Sequence, residues 1–321
     1  MKILGAAMVT VILTFFANTA GAAEIVYGRK DEAWVHIEIV GMIEKGDFNK
    51  FQAALIGALP TDNREEWPLV LVYLFSTGGD LVEATRIGAL VRELYIPTRA
   101  PGTVECHVIQ SKNDLQQYGW WPDSVNRKTA CACYSACFVI WSAGMDRSGG
   151  DNWLRVENGL EIVPRTETFV GVHRPRFDSS YFSELSANEA ESVYDELSEN
   201  LVEFLNRMDT PEPIIERMLI TPSSEMHLLS RGELESMYGY PAGADEWLES
   251  KCIQLRLTND EAVDLASLTS KIPDNSFSRP EKSYFDLLYD KFDKYESCRL
   301  SAAQKEQSER LATMFGLSIR R

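Results

Sequence analysis

Along most of the chain, short apolar segments alternate with longer ones of helical spacing, the pattern of an α/β protein. "WVHIEIVG" (Trp34 to Gly41) alternates like a strand, and "DFNKFQAALIGAL" after it repeats its apolar positions at helical intervals. "PLVLVYLF" (Pro68 to Phe75) is an unbroken apolar run, as expected of a strand covered on both faces. It leads through "STGGD" into "LVEATRIGALVREL", whose Leu81, Ala84, Ile87, Leu90, Val91 and Leu94 form one helical stripe. "IPTRAP" reads as the next strand and turn. The polar stretch "HVIQSKNDLQQYGWWPDSVNRK" separates it from "CACYSACFVIWSAG", whose second half is small and apolar enough for a fully buried helix. "RSGGDNWLRVENGLEIVPRTE" reads as a surface excursion, and "TFVGVHRP" as a strand ending in a turn. "SANEAESVYDELSENLVEFLNRM" predicts a long amphipathic helix with a Ser186–Glu189 capping box and a stripe through Val193, Leu197, Leu201 and Leu205. From about Gly243 onward the chain is helical and charged, interrupted by "IPDNSFSRP".

The first residues change the setting. One positive charge at Lys2 precedes an apolar run from Ile3 to Ala17, and small residues follow at Ala20, Ala22 and Ala23. That is the order of a secretory signal peptide, and the run is short for a membrane span. The expected organisation is a leader over 1–23, one α/β domain over 24–242 and a helical C-terminal extension over 243–321. After cleavage no stable membrane insertion is expected, and an exported, oxidising compartment, the bacterial periplasm for preference, follows.

The formal charge is −16, and losing Lys2 with the leader makes the rest one unit more negative. Such a surface repels nucleic acid and anionic membranes. Six cysteines in an exported chain favour disulfides over zinc or free thiols. They are Cys106, Cys131, Cys133, Cys137, Cys252 and Cys298. Their clustering suggests that Cys106 pairs within the group near Ser135 and Cys252 pairs with Cys298. His36, His107, His173 and His227 show no ligand spacing against them, so no metal is expected. No phosphate-binding loop occurs, and no cofactor is expected.

Three features carry candidate chemistry. Gly78 and Gly79 lie between an apolar strand and a helix, where exposed N–H groups can bind an oxyanion. Ser135 precedes the buried helix, in the place of an ordinary cap. There it also gains from the helix dipole, with the Ala136 N–H beside it. His173 ends an apolar strand next to Arg174 and Pro175; alone, such a residue is more often a core histidine than a base. A catalytic thiol in "CAC" or "CYSAC" lacks the usual redox spacing.

The order of these segments, "STGGDLVEATRIGALVRE", "CYSACFVIWSAG", "FVGVHRP" and "LLSRGELESMYGY", resembles the proteolytic subunit of Clp protease. It is closer still to the exported ClpP-like serine proteases of the ClpP/crotonase superfamily. The resemblance spans about Trp34 to Tyr240 and implies a spiral of ββα units. It also implies a serine endopeptidase, with homo-oligomerisation possible; in an exported compartment, where ATP is scarce, such an enzyme is expected to be ATP-independent and to act on peptides or unfolded protein. By position, Ser135 matches the nucleophile, His173 the general base, and Gly78, Gly79 and Ala136 the oxyanion groups. Thr77 stands where the family usually has proline. The family's aspartate falls in the region reading "TPSSEMHLLSRGELESMYG", where Glu225 is the nearest carboxylate. On this reading the cysteines hold the scaffold. The alternative is a catalytically inactive ClpP-like protein that binds peptides or partners. Coenzyme A chemistry fits neither the compartment nor the acidic surface.

Overall fold

The apolar run from Leu69 to Phe75 forms a strand, β3, because both of its faces are covered, with five of seven residues buried. It lies parallel to β2 (Trp34–Val40), with Ile37 opposite Val72. A computed structural model describes residues 23–29, 34–59, 67–102, 131–150, 168–176, 182–271 and 278–317 of the chain. The molecule is mixed α/β. β1 (Glu24–Arg29) pairs antiparallel at one edge of β2; β4 (Thr98–Ala100) and β6 (Arg147–Gly149) extend the other side in parallel, giving the order β1-β2-β3-β4-β6. A second sheet holds β5 (Cys133–Tyr134), β7 (Val170–Val172) and β8 (His227–Leu228) in the order β5-β7-β8. Ser76 joins the two: its N–H donates to the Ala132 carbonyl, and its own carbonyl accepts from the Tyr134 N–H.

The predicted helices fall where periodicity places them. α1 (Asp47–Ala58) and α2 (Leu81–Glu93) flank β3 in sequence. Asp80 caps α2 by accepting from the Glu83 N–H, and the buried Glu83 carboxylate reaches across to the N–H groups of Gly46 and Phe48 at the start of α1. α3 (Ala136–Ser142) is buried along its whole length, as its composition requires. α4 (Ala187–Arg207) carries the full Ser186–Glu189 capping box, but only the C-terminal end of its stripe, Leu201, Phe204 and Leu205, is buried. α5 (Glu212–Ile220) and α6 (Arg231–Glu235) follow.

One expectation needs correcting. The segment from Arg147, read as a surface excursion, begins with β6, paired along β4 with Arg147 opposite Thr98. The Arg147 side chain is buried and donates to the Met208 carbonyl at the end of α4. All of the expected leader over 1–23 except Ala23, the polar stretch over 107–128, Cys106 and residues 151–167 lie outside the described residues. Among the described residues no helix is long and apolar enough to cross a membrane.

The C-terminal region is built from α7 (Ala242–Cys252), a 3₁₀ turn (Ile253–Leu255), α8 (Asn259–Thr269) and the 37-residue α9 (Arg279–Phe315). The Cys252–Cys298 disulfide pins α7 to the middle of α9. The end of α9 then enters the main core through Leu311 and Ala312. Gln307, also buried, acts as a substitute strand residue: its Oε1 accepts from the Val70 N–H at 2.7 Å, and its Nε2 donates to the Val70 and Tyr95 carbonyls at 3.0 and 3.2 Å. Replacing it with an apolar residue strands the two buried backbone groups of Val70, each costing about 1–3 kcal/mol, and frees the half-buried Tyr95 carbonyl. Gln307→Leu is therefore expected to lower the unfolding free energy by at least about 2 kcal/mol, read from the midpoint of a urea titration at unchanged slope.

Candidate active site

The turn after β3 has a conformation that only glycine tolerates. Gly78 and Gly79 have φ of 108° and 135°. A Cβ on Gly78 would lie 2.8 Å from the Ser135 Cβ, and one on Gly79 would lie 2.1 Å from the Ile43 carbonyl oxygen. Backbone bonds fix the turn: Ile43 N–H donates to the Gly78 carbonyl and Asp80 N–H to the Ile43 carbonyl, both at 2.8 Å. The Gly78 N–H is already engaged, donating to Ser76 Oγ at 3.1 Å. The N–H groups of Gly79 and Ala136 have no acceptor among the described residues. Of the three expected oxyanion donors, these two are thus available.

Ser135 occupies the corner between β5 and α3 with φ 55° and ψ −118°, a conformation rare outside glycine. Its own N–H donates to the Gly171 carbonyl at 2.9 Å, so the corner is tied to β7. Its side chain makes no cap bond to α3, which leaves the first N–H groups of that helix unsatisfied and the hydroxyl uncommitted. The Cys133–Cys137 disulfide straddles it two residues to either side, with Cα atoms 5.1 Å apart and both cysteines fully buried. This is a local clasp across the serine. Cys131 is also disulfide-bonded, while the expected pairing of Cys106 lies outside the described residues.

His173 follows β7 directly and shares one cavity with Ser135 and Gly79. The cavity holds about 320 Å³ of space including its open mouth, and apolar side chains of Leu81, Val139, Leu201 and Met218 contribute to its wall. His173 Nδ1 lies 2.8 Å from the Arg174 carbonyl oxygen. A carbonyl only accepts, so Nδ1 carries the hydrogen in the neutral ring and Nε2 is left with the basic lone pair. The two are brought to one cavity, and no hydrogen bond joins Ser135 to His173 among the described residues.

Glu225 is not brought to the pair. It is exposed, its N–H donates to the Pro222 carbonyl, and its carboxylate has no partner among the described residues. The histidine nitrogen that a third carboxylate would hold is occupied by the chain's own backbone. That backbone is itself anchored, since the Arg174 N–H donates to the Thr221 carbonyl at 2.8 Å and Tyr194 Oη to the Pro175 carbonyl at 3.2 Å. His227, the other histidine of this region, points instead to Glu233 at 3.2 Å.

Sequence reasoning missed Ser76, whose hydroxyl takes the Gly78 N–H, and Ile43, whose backbone clamps the glycines. A serine directly after a buried strand was a signal for the first; nothing local pointed to the second. Arg176, on the cavity rim, was also passed over. No protein-family model matches the chain, and no curated protein matches it.

The clasp closes a very short loop, and loop-closure entropy assigns it only about 2 kcal/mol. Its main effect is therefore local. The double variant Cys133→Ala/Cys137→Ala is expected to stay folded while the amide of Ser135 exchanges faster; exchange at Ile87 in α2 serves as the control that does not change.

Proposed function

We propose that the chain is a ClpP-like serine peptidase of the exported branch of the ClpP/crotonase superfamily, working without ATP on peptides or unfolded protein in the periplasm. The observation that carries this reading is the strained, uncapped Ser135 at a strand-to-helix corner, sharing a cavity with a tautomerically defined His173 and two unengaged N–H groups. A serine hydroxyl is a weak nucleophile without a base. On this reading His173 Nε2 takes the Ser135 proton as Oγ attacks the amide carbonyl, and the carbonyl oxygen, now negative, is held by the N–H groups of Gly79 and Ala136. His173 then returns the proton to the departing amine. Water, deprotonated by the same nitrogen, hydrolyses the acyl-serine and frees Ser135.

Closure of the cavity on a substrate has to bring Ser135 and His173 into hydrogen-bond range, since catalytic hydrogen bonds in empty sites are often long. Orientation of the ring comes from the Arg174 carbonyl, which lacks the charge that a carboxylate would place against an imidazolium. Catalysis is accordingly slow by the standard of a full triad, where removing the acid costs on the order of 10⁴ in rate. Among the described residues no carboxylate lies against His173, and this is the specific observation that favours a second reading, a catalytically inactive ClpP-like protein that binds peptides or partners.

Fluorophosphonate labelling of the oxidised protein separates the two. Wild type is expected to be labelled at Ser135, Ser135→Ala not at all, and His173→Ala at a rate lower by about a hundred-fold or more. Glu225→Ala is expected to leave the rate unchanged. No labelling of a wild type whose circular dichroism is intact would leave the binding protein as the better reading.

A further inference from the structure

Arg176 is the one fixed cation among the described residues of the cavity wall, and no carboxylate lines that wall. Its side chain is exposed, and its guanidinium has no acceptor among the described residues. Arg86, Arg92, Arg231, Arg256, Arg299 and Arg310 have carboxylate partners, whereas Arg174, Arg207, Arg217 and Arg279, like Arg176, have none among the described residues; what sets Arg176 apart is its place on the cavity wall. The backbone carrying Arg176 is also held in place. Pro175 is buried and fixed in φ, its carbonyl accepts from Tyr194 on α4, and the Arg174 N–H is bound to Thr221. An unpartnered guanidinium on a held backbone, at the mouth of a cavity that no described carboxylate lines, is suited to one kind of group, a planar anion that it can grip through two N–H donors.

We propose that Arg176 is a specificity residue that selects peptides carrying a carboxylate beside the apolar residue seated on Leu81, Val139, Leu201 and Met218. This rests on the reading of the cavity as a peptide-binding site, though not on hydrolysis. The carboxylate belongs either to an Asp or Glu side chain or to the free C-terminus of the peptide; the chemistry at Arg176 is the same. The surrounding negative field of the protein repels acidic peptides at long range, so the contact acts at short range, by slowing release rather than by speeding arrival.

The test uses fluorescein-labelled peptides of one apolar sequence in three forms: Asp against Asn beside a leucine, and, separately, free carboxylate against amide at the C-terminus. Binding to Ser135→Ala protein is followed by fluorescence anisotropy, with Arg176 intact, Arg176→Gln and Arg176→Lys. With Arg176 intact the carboxylate form of at least one pair is expected to bind about five-fold more tightly, the scale of a partly exposed ion pair. Arg176→Gln is expected to abolish that preference, and Arg176→Lys to keep part of it. The pair that responds identifies the source of the carboxylate. Equal binding within both pairs, a preference that survives Arg176→Gln, or no binding of any peptide overturns the proposal. Arg176-dependent preference in a protein that no probe labels would keep the carboxylate site and remove hydrolysis alone.

Discussion

The backbone at Ser135 is the constraint on which the rest of the site depends. A non-glycine residue at φ 55°, ψ −118° costs on the order of 1–3 kcal/mol and persists only where its surroundings over-determine it. They do so here from three sides. Cys133 and Cys137 are bonded across it, its N–H is bound to Gly171 on β7, and Tyr134 before it is bound to Ser76 at the end of β3. Ser76 is the junction: its backbone joins the five-stranded sheet to the three-stranded one, and its hydroxyl takes the Gly78 N–H. The corner that presents the serine and the turn that presents the Gly79 N–H are thus two products of one strand end. Displacing either moves the other, because a side chain on Gly78 would already collide with Ser135.

The same logic extends outward. β3 is secured at its far end by Gln307, so the strand that delivers Ser76 is completed by a residue more than two hundred positions later in the chain. α3 is secured at its far end by Arg92, which donates to the carbonyls of Ala143, Ser142 and Met208. Arg147 donates to that same Met208 carbonyl. Burial, and after it the neighbouring Arg92, pushes Arg147 down to about 10, which leaves both cations charged at neutral pH. Two arginines therefore converge on the C-terminal end of α4, where the helix dipole and unpaired carbonyls favour positive charge. The helix that begins at the candidate nucleophile is in this way clamped to the helix that contributes Leu201 to the cavity wall.

How much of this was legible followed from whether the determining interaction is local. The strands at Trp34 and Leu69, the stripe of α2, the buried α3 and the Ser186 cap are all set by spacing within one segment, and spacing predicts them. Cys252 and Cys298 stand alone in the C-terminal region, so their pairing could be expected. Arg147 could not be read, since charge marks a surface residue by default and its burial depends on a helix end sixty residues away. Gln307 looked like one more polar position on a charged helix for the same reason. In α4, periodicity identified the apolar face but not how far the core reaches along it: Leu201 and Leu205 are buried, while Val193 and Leu197 are only half covered. At the site, the order of the segments points to Ser135, His173 and Gly79, which the fold brings to one cavity. Glu225 is the nearest carboxylate in sequence, and sequence proximity says nothing about which atom faces a histidine nitrogen.

That last difference bears on chemistry. The acid of a serine–histidine pair does two separable things: it fixes which ring nitrogen holds the proton, and it stabilises the imidazolium once the serine has given up its own. The Arg174 carbonyl performs the first as well as a carboxylate does, since an acceptor held at 2.8 Å selects the tautomer whatever its charge. It contributes to the second only as a dipole.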